Sequence, residues 1–181
     1  MSISIFLSYP QPFLQRQQDF IERLSNYLDQ RGLEPKTLGV NNYDMEAPLK
    51  GIRRLMIESN GLLTVAFRRY LVDSGSSKPE TDMPGSQSAS ISGTWFTSPF
   101  CQIEPAMAFQ LGLPVLVLRE SGVHADGVLE RGVLGTYMPE FDLDSPIDDY
   151  FQGQEFRQLI GQWEGYVRGV YASRGNPPQL Y

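Results

Sequence analysis

Two short and nearly uninterrupted apolar runs, Leu62-Leu63-Thr64-Val65-Ala66-Phe67 and Val115-Leu116-Val117-Leu118, constrain this chain more than any other feature. Apolar runs of this length without polar alternation suit strands covered on both faces, the condition of central strands in a parallel sheet. Parallel strands need crossover helices, and the sequence supplies them. Phe20, Ile21, Leu24, Tyr27 and Leu28 recur at helical spacing, and Gly32 provides a stop. A second helix runs from about Ala47 or Pro48 to Ser59, with Leu49, Ile52, Leu55 and Met56 expected to face inward and Asn60-Gly61 ending it. Before the first helix, Ile3 to Leu7 reads as a strand ended by Ser8-Tyr9-Pro10, and Pro12 suits that helix's first turn. Leu33 to Leu38 is a weaker strand, and its Pro35 suits an edge position.

Ser98-Pro99-Phe100-Cys101-Gln102-Ile103-Glu104 reads as a loop entering a short helix that Gly112 stops. Phe141-Asp142-Leu143 is a candidate last strand. Ser145-Pro146 opens a final helix, carried to about Ala172 by Phe156, Leu159, Ile160, Trp163, Val167, Val170 and Tyr171. The order, βαβαβ(loop)αβ…α, predicts an α/β protein: a central parallel sheet with helices on both faces and the site at the C-terminal ends of its strands. Residues 73–93 are rich in Ser, Gly and Pro and predict a long flexible insertion within one domain spanning 1–175, with 176–181 as a tail.

Charge and composition remove several classes of function. A formal net charge of -6 and the absence of any Lys/Arg-rich run argue against a nucleic-acid partner. The single cysteine, Cys101, allows no internal disulfide and no multi-cysteine metal site. The single histidine, His124, removes most zinc arrangements and most Ser-His or Cys-His catalysis, so no metal is expected. With no positively charged leader and no apolar run of membrane-spanning length, the expectation is a soluble, cytoplasmic protein without a membrane partner.

One carboxylate stands out. Glu104 lies amid Trp95, Phe96, Phe100, Cys101 and Ile103, where a charge is either misplaced or present for chemistry. A plainer role also fits, a carboxylate complementing the positive end of a helix dipole. Cys101 reads first as a buried apolar group and only then as a reactive thiol, Arg68-Arg69 first as a solvated pair and then as a phosphate clamp, and Trp95 and Phe96 as core or interface alike.

Taken in order, these residues resemble a TIR domain. Ile3-Ser4-Ile5-Phe6-Leu7-Ser8-Tyr9 is similar to the family's opening strand, the helix to Gly32-Leu33 to its first helix, and Gly39–Pro48 to its BB loop. Ser98-Pro99-Phe100-Cys101-Gln102-Ile103-Glu104 is similar to the family's Ser-x-Trp-Cys-x-x-Glu-Leu, and Ala108 and Pro114 through Leu118 continue the likeness. It covers roughly residues 3 to 120. Phe100 stands where Trp is usual, Arg68 where Ser often ends the third strand, and Pro105 where Leu is common. The resemblance implies a flavodoxin-like TIR fold and cleavage of NAD, as substrate, between nicotinamide and ribose, with Glu104 as the catalytic residue. For a self-contained chain it further implies the prokaryotic type. Some such proteins make an ADP-ribose-derived signal, cyclic or conjugated in form, for a separate effector in Thoeris-like antiphage defence, and the resemblance implies assembly through TIR–TIR contacts.

The chemistry asks little of the site. The transition state is oxocarbenium-like, so a carboxylate beside the ribose stabilises the growing charge or orients the sugar hydroxyls. Nicotinamide leaves neutral and needs no strong acid. Strand-end logic places Ser8 and Tyr9, the loop residues Asn41, Asn42 and Tyr43, Arg68, Trp95, Phe100 and Cys101 around the substrate, with aromatic rings stacking on its bases and Arg68 facing its pyrophosphate. Two rivals remain: a TIR module that assembles without catalysis, and an enzyme like the nucleoside 2-deoxyribosyltransferases, which use a Glu nucleophile.

Overall fold

The computed structural model describes residues 2–38, 47–134 and 139–173. The two apolar runs become β3 (Leu62–Ala66) and β8 (Val115–Arg119), which pair in parallel with Leu62 beside Val115 and Thr64 beside Val117. β1 (Ile3–Ser8) lies on the other side of β3, placing Phe6 beside Leu62 and Ser8 beside Thr64. β2 (Leu33–Lys36) forms the edge next to β1. All four strands are parallel in the order β2-β1-β3-β8. This is the doubly wound, flavodoxin-like arrangement that the alternating pattern predicted.

Strand alternation sorts the core into two layers. Ile5, Leu7, Leu63, Val65, Leu116 and Leu118 face α1 (Gln15–Gln30) and α5 (Gln154–Ala172), which bring Phe20, Leu24, Leu28, Ile160, Trp163 and Val167. Phe6, Leu62 and Val115 face α2 (Pro48–Glu58) and α3 (Phe100–Gln110), which bring Ile52, Leu55, Met56 and Ala108. At Gly61 α5 approaches the start of β3 so closely that an added Cβ would stand 2.6 Å from Val167 Cγ2. Beside it Trp163 Nε1–H donates to the Pro114 carbonyl at 3.2 Å.

Several expectations need correction. The insertion carries structure of its own. β4 (Tyr70–Val72) pairs antiparallel with β7 (Thr94–Phe96), and β5 (Ser76–Ser77) pairs with β6 (Ala89–Ser90) inside them, making a two-tier hairpin arm. Backbone pairing needs no apolar run, which is why composition concealed it. Phe141 makes only a single parallel bridge to Glu120, because the Asp142 carboxylate accepts from Asp144 N–H and Ser145 Oγ–H and turns the chain away. The final helix is two helices, α4 (Ile147–Gln152) and α5, separated by the extended backbone of Gly153. α1 begins at Gln15, beyond Pro12, and leaves Phe13 exposed. Leu49, at the start of α2, is exposed rather than inward. The loop residues 39–46 and the tail 176–181 lie outside the described residues. Among those described, no helix is long and apolar enough to cross a membrane.

Candidate functional site

Ser98 starts α3. Its hydroxyl accepts from Phe100 N–H at 3.3 Å and its carbonyl from Cys101 N–H at 2.9 Å. The inner face of α3 then repeats at helical spacing: Cys101, Glu104, Pro105 and Ala108 are the buried residues. Pro105 sits inside the helix and has no N–H to offer the Cys101 carbonyl, yet its ring suits the apolar face it occupies. Glu104 is thus carried inward by the helix period.

Glu104 is 8% exposed. Burial pushes its carboxyl up from 4.5 to about 7, because the charged form loses water that nothing fully replaces. The group opposing that rise is the Ser8 hydroxyl at the C-terminal end of β1. Ser8 Oγ stands near the carboxylate but outside full hydrogen-bond geometry, and it has no partner elsewhere in the fold. No cation among the described residues shares in holding the Glu104 charge.

Cys101, 1% exposed, packs with Ala66, Val123 and Leu129. Burial pushes its thiol up to about 12, against the pull of the Thr97 hydroxyl, which lies 3.5 Å from Sγ. Among these apolar neighbours the thiol stays protonated near neutral pH. Phe100 is 42% exposed at the mouth of α3. Trp95 is half-buried at the root of the arm, where its carbonyl accepts from His124 N–H and Arg68 lies 6.0 Å from its ring centre.

Other expected partners are engaged by different neighbours. Tyr9 packs against the core layer under α1 and lines a groove of about 370 Å³ between α1 and β2, together with Gln18, Asn26, Pro35 and Thr37. Arg68 is occupied: its backbone N–H donates to Glu120 Oε2 at 2.8 Å, and its Nε–H to the Ser121 carbonyl at 2.6 Å. Arg69 is the cation whose field reaches Cys101, while its own N–H ties the arm through the Phe96 carbonyl. An adjacent Arg pair at a strand end does not reveal from sequence which member faces the site. Asn41, Asn42 and Tyr43 lie outside the described residues.

Sequence reasoning passed over three buried polar groups. Thr64, fully buried, was the one hydroxyl in an otherwise apolar run, and its Oγ1 has no partner. Gln17 caps α1 by accepting from Phe13 and Leu14 N–H and reaches the Arg68 carbonyl. Glu120, the carboxylate closing the second apolar run, is raised by burial and pulled back by Arg68. Among the described residues no cluster of three or more His, Cys, Asp or Glu could hold a metal ion.

No family model and no curated protein matches the sequence. Among solved structures, the chain is similar to the CMP N-glycosidase BcmB of Clostridium botulinum, at 15% identity and a TM-score of 0.47, over 88% of this chain and 98% of that one. It is also similar to the TIR domains of the activated Roq1 resistosome that recognises the pathogen effector XopQ, at 12% identity and a TM-score of 0.43, over 96% of this chain and 86% of that one. Both are distant likenesses of an α/β protein whose central parallel sheet carries helices on both faces.

Proposed function

We propose that this chain cleaves NAD at the bond between nicotinamide and ribose, with Glu104 as the catalytic carboxylate and NAD as substrate rather than cofactor. The observation that supports this reading most is a buried carboxylate that no cation among the described residues compensates, beside an unpartnered hydroxyl at the C-terminal end of a central strand. A charge held that way is costly to the fold and suited to a positive charge brought by the substrate.

In the reaction the C1′–N bond breaks and its electron pair stays on the nicotinamide nitrogen, which becomes neutral. The positive charge moves to the ribose, where ionised Glu104 stabilises it. Water then adds at C1′ and its proton passes to Glu104 or to solvent. Where another nucleophile replaces water, the product is cyclic or conjugated. Phe100 at the mouth and Trp95 at the arm's root offer aromatic faces to the bases. The resemblance to TIR proteins extends the reading. The ADP-ribose-derived product acts as a signal in antiphage defence, a separate effector responds to it, and copies of the chain assemble through TIR–TIR contacts.

The test is nicotinamide release from NAD by the purified protein beside Glu104→Gln, at high protein concentration and in extract from phage-infected cells, with products identified by mass. Release by the wild type alone is the expected outcome. Cleavage of deoxynucleosides but not NAD would replace the reading with deoxyribosyl transfer. No cleavage of either would leave a non-catalytic assembly module.

A further inference from the structure

Ser8 and Thr64 are register partners on β1 and β3, so in a parallel pair their side chains leave the same face of the sheet. That face carries α2 and α3, because Phe6 and Leu62, two residues earlier on each strand, pack with Ile52, Met56 and Ala108. The layer is otherwise apolar. Yet Ser8 Oγ and Thr64 Oγ1 are both buried, at 2% and 0% exposure, and both lack a hydrogen-bond partner. Glu104 brings its carboxylate to the same layer from α3.

Buried hydroxyls are nearly always paired, and leaving them unpaired works against stability. Two in adjacent register beside a third uncompensated polar group mark a place left for something from outside the chain. The donor and acceptor inventory says what kind. An ionised carboxylate only accepts, and each hydroxyl accepts more bonds than it donates. The set is therefore short of donors. A neutral ligand group with two adjacent O–H donors supplies them, whereas a phosphate, which only accepts, does not.

We propose that Thr64, through Ser8 and Glu104, seats the vicinal hydroxyl pair of a ribosyl substrate, so that the site discriminates ribosyl from 2-deoxyribosyl groups. This rests on the glycosidic-bond reading above and narrows its substrate class. Thr64 is a positioning residue: it lies in the floor, and its hydroxyl fixes how the Ser8 hydroxyl and the ligand are shared. A substrate lacking the 2-hydroxyl leaves that floor unpaired and gains nothing from it.

The experiment compares the wild type, Thr64→Val and Thr64→Ser on NAD and on its analogue with a 2-deoxyribosyl nicotinamide half. Valine keeps the shape and removes the hydroxyl; serine keeps the hydroxyl. In Thr64→Val, kcat/KM on NAD is expected to fall about tenfold, the loss of one hydrogen bond. On the deoxy analogue it stays within about twofold, and Thr64→Ser restores the preference. The melting temperature of Thr64→Val is expected to hold or rise, since an unpaired buried hydroxyl is gone. An unchanged ratio between the two substrates in Thr64→Val overturns the proposal, even where the wild type cleaves NAD, and leaves only an internal water under the sheet. A wild type that cleaves neither substrate overturns the functional reading and this inference with it.

Discussion

Two helical glutamates are buried to nearly the same degree, Glu104 at 8% and Glu164 at 7% exposure, and they are treated in opposite ways. Glu164 on α5 is clasped by two guanidinium groups: Arg31, at the C-terminal end of α1, and Arg168 one turn along, whose Nε donates to Oε1 at 2.8 Å. Arg168 also donates to the Arg31 carbonyl, so the cluster locks the end of α1 to α5. Among the described residues Glu104 has a hydroxyl nearby that does not fully bond to it, and no cation. A carboxylate whose neighbours complete it serves the fold. One left incomplete is stable only because the rest of the fold holds it.

The largest test of that contrast is Glu104→Gln. Turnover on NAD is expected to fall by about a thousandfold or more, as when a group stabilising transition-state charge is removed. Stability should move the other way. The native carboxyl titrates near 7 and the unfolded one near 4.5, so between those values the native state binds the proton more tightly. Wild-type stability therefore falls as pH rises through that window, and the full deficit stands above it. Glutamine does not titrate. The variant should gain up to about 3 kcal/mol relative to wild type at pH 8 and nothing at pH 4.5, measured by urea unfolding at both. A variant less stable than wild type at pH 8 would mean that Glu104 is a structural carboxylate after all.

Glu164→Gln should do the reverse. It breaks a paired charge, and the melting temperature should drop while NAD turnover per folded molecule stays unchanged. Arg31 and Arg168 are about 39% and 48% exposed and regain water when the carboxylate goes. The loss is then about 1–2 kcal/mol, below the cost of stranding a fully buried charge.

The fold was largely legible because its signals are local. Continuous apolar runs gave β3 and β8, and helical spacing gave the inner faces of α1, α2 and α5. The hairpin arm was not legible, since its pairing is made by backbone groups that Ser-Gly-Pro composition does not encode. Gly153 breaks the last helix through a turn to extended backbone that a periodic apolar pattern passes over. At the site, Glu104 was legible as a carboxylate in apolar company. The split between Arg68 and Arg69 was not, because it depends on Glu120 and Ser121, which lie more than 50 residues along the chain. Thr64 looked like an ordinary strand residue. Its meaning comes from its register with Ser8, and register is a property of the sheet.

A pH profile sharpens the contrast further. If ionised Glu104 does the chemistry, kcat/KM for nicotinamide release should fall about tenfold per pH unit below a midpoint near 7 and level off above it. Ser8→Ala removes the one hydroxyl that holds the carboxyl down, so the midpoint should move to higher pH. A midpoint that ignores Ser8 would detach the titrating group from Glu104.

The smallest expected effect belongs to Cys101, one turn before Glu104 on the same buried face. Proximity to Glu104 invites a nucleophilic role, but the environment forbids it. Burial pushes the thiol to about 12, so at pH 8 only about one molecule in ten thousand carries a thiolate. Glu104 adds to that rise, because a second negative charge beside it is unwelcome. The thiol thus stays protonated, and of the two groups only the carboxylate keeps a midpoint within reach of neutral pH. Iodoacetamide at pH 8 should leave the folded protein unlabelled and its turnover unchanged, and should label the thiol once urea unfolds the chain. Stoichiometric labelling of the folded protein with loss of NAD cleavage would place a thiolate in the site and give the apolar wall of α3 a share in the chemistry that its burial argues against.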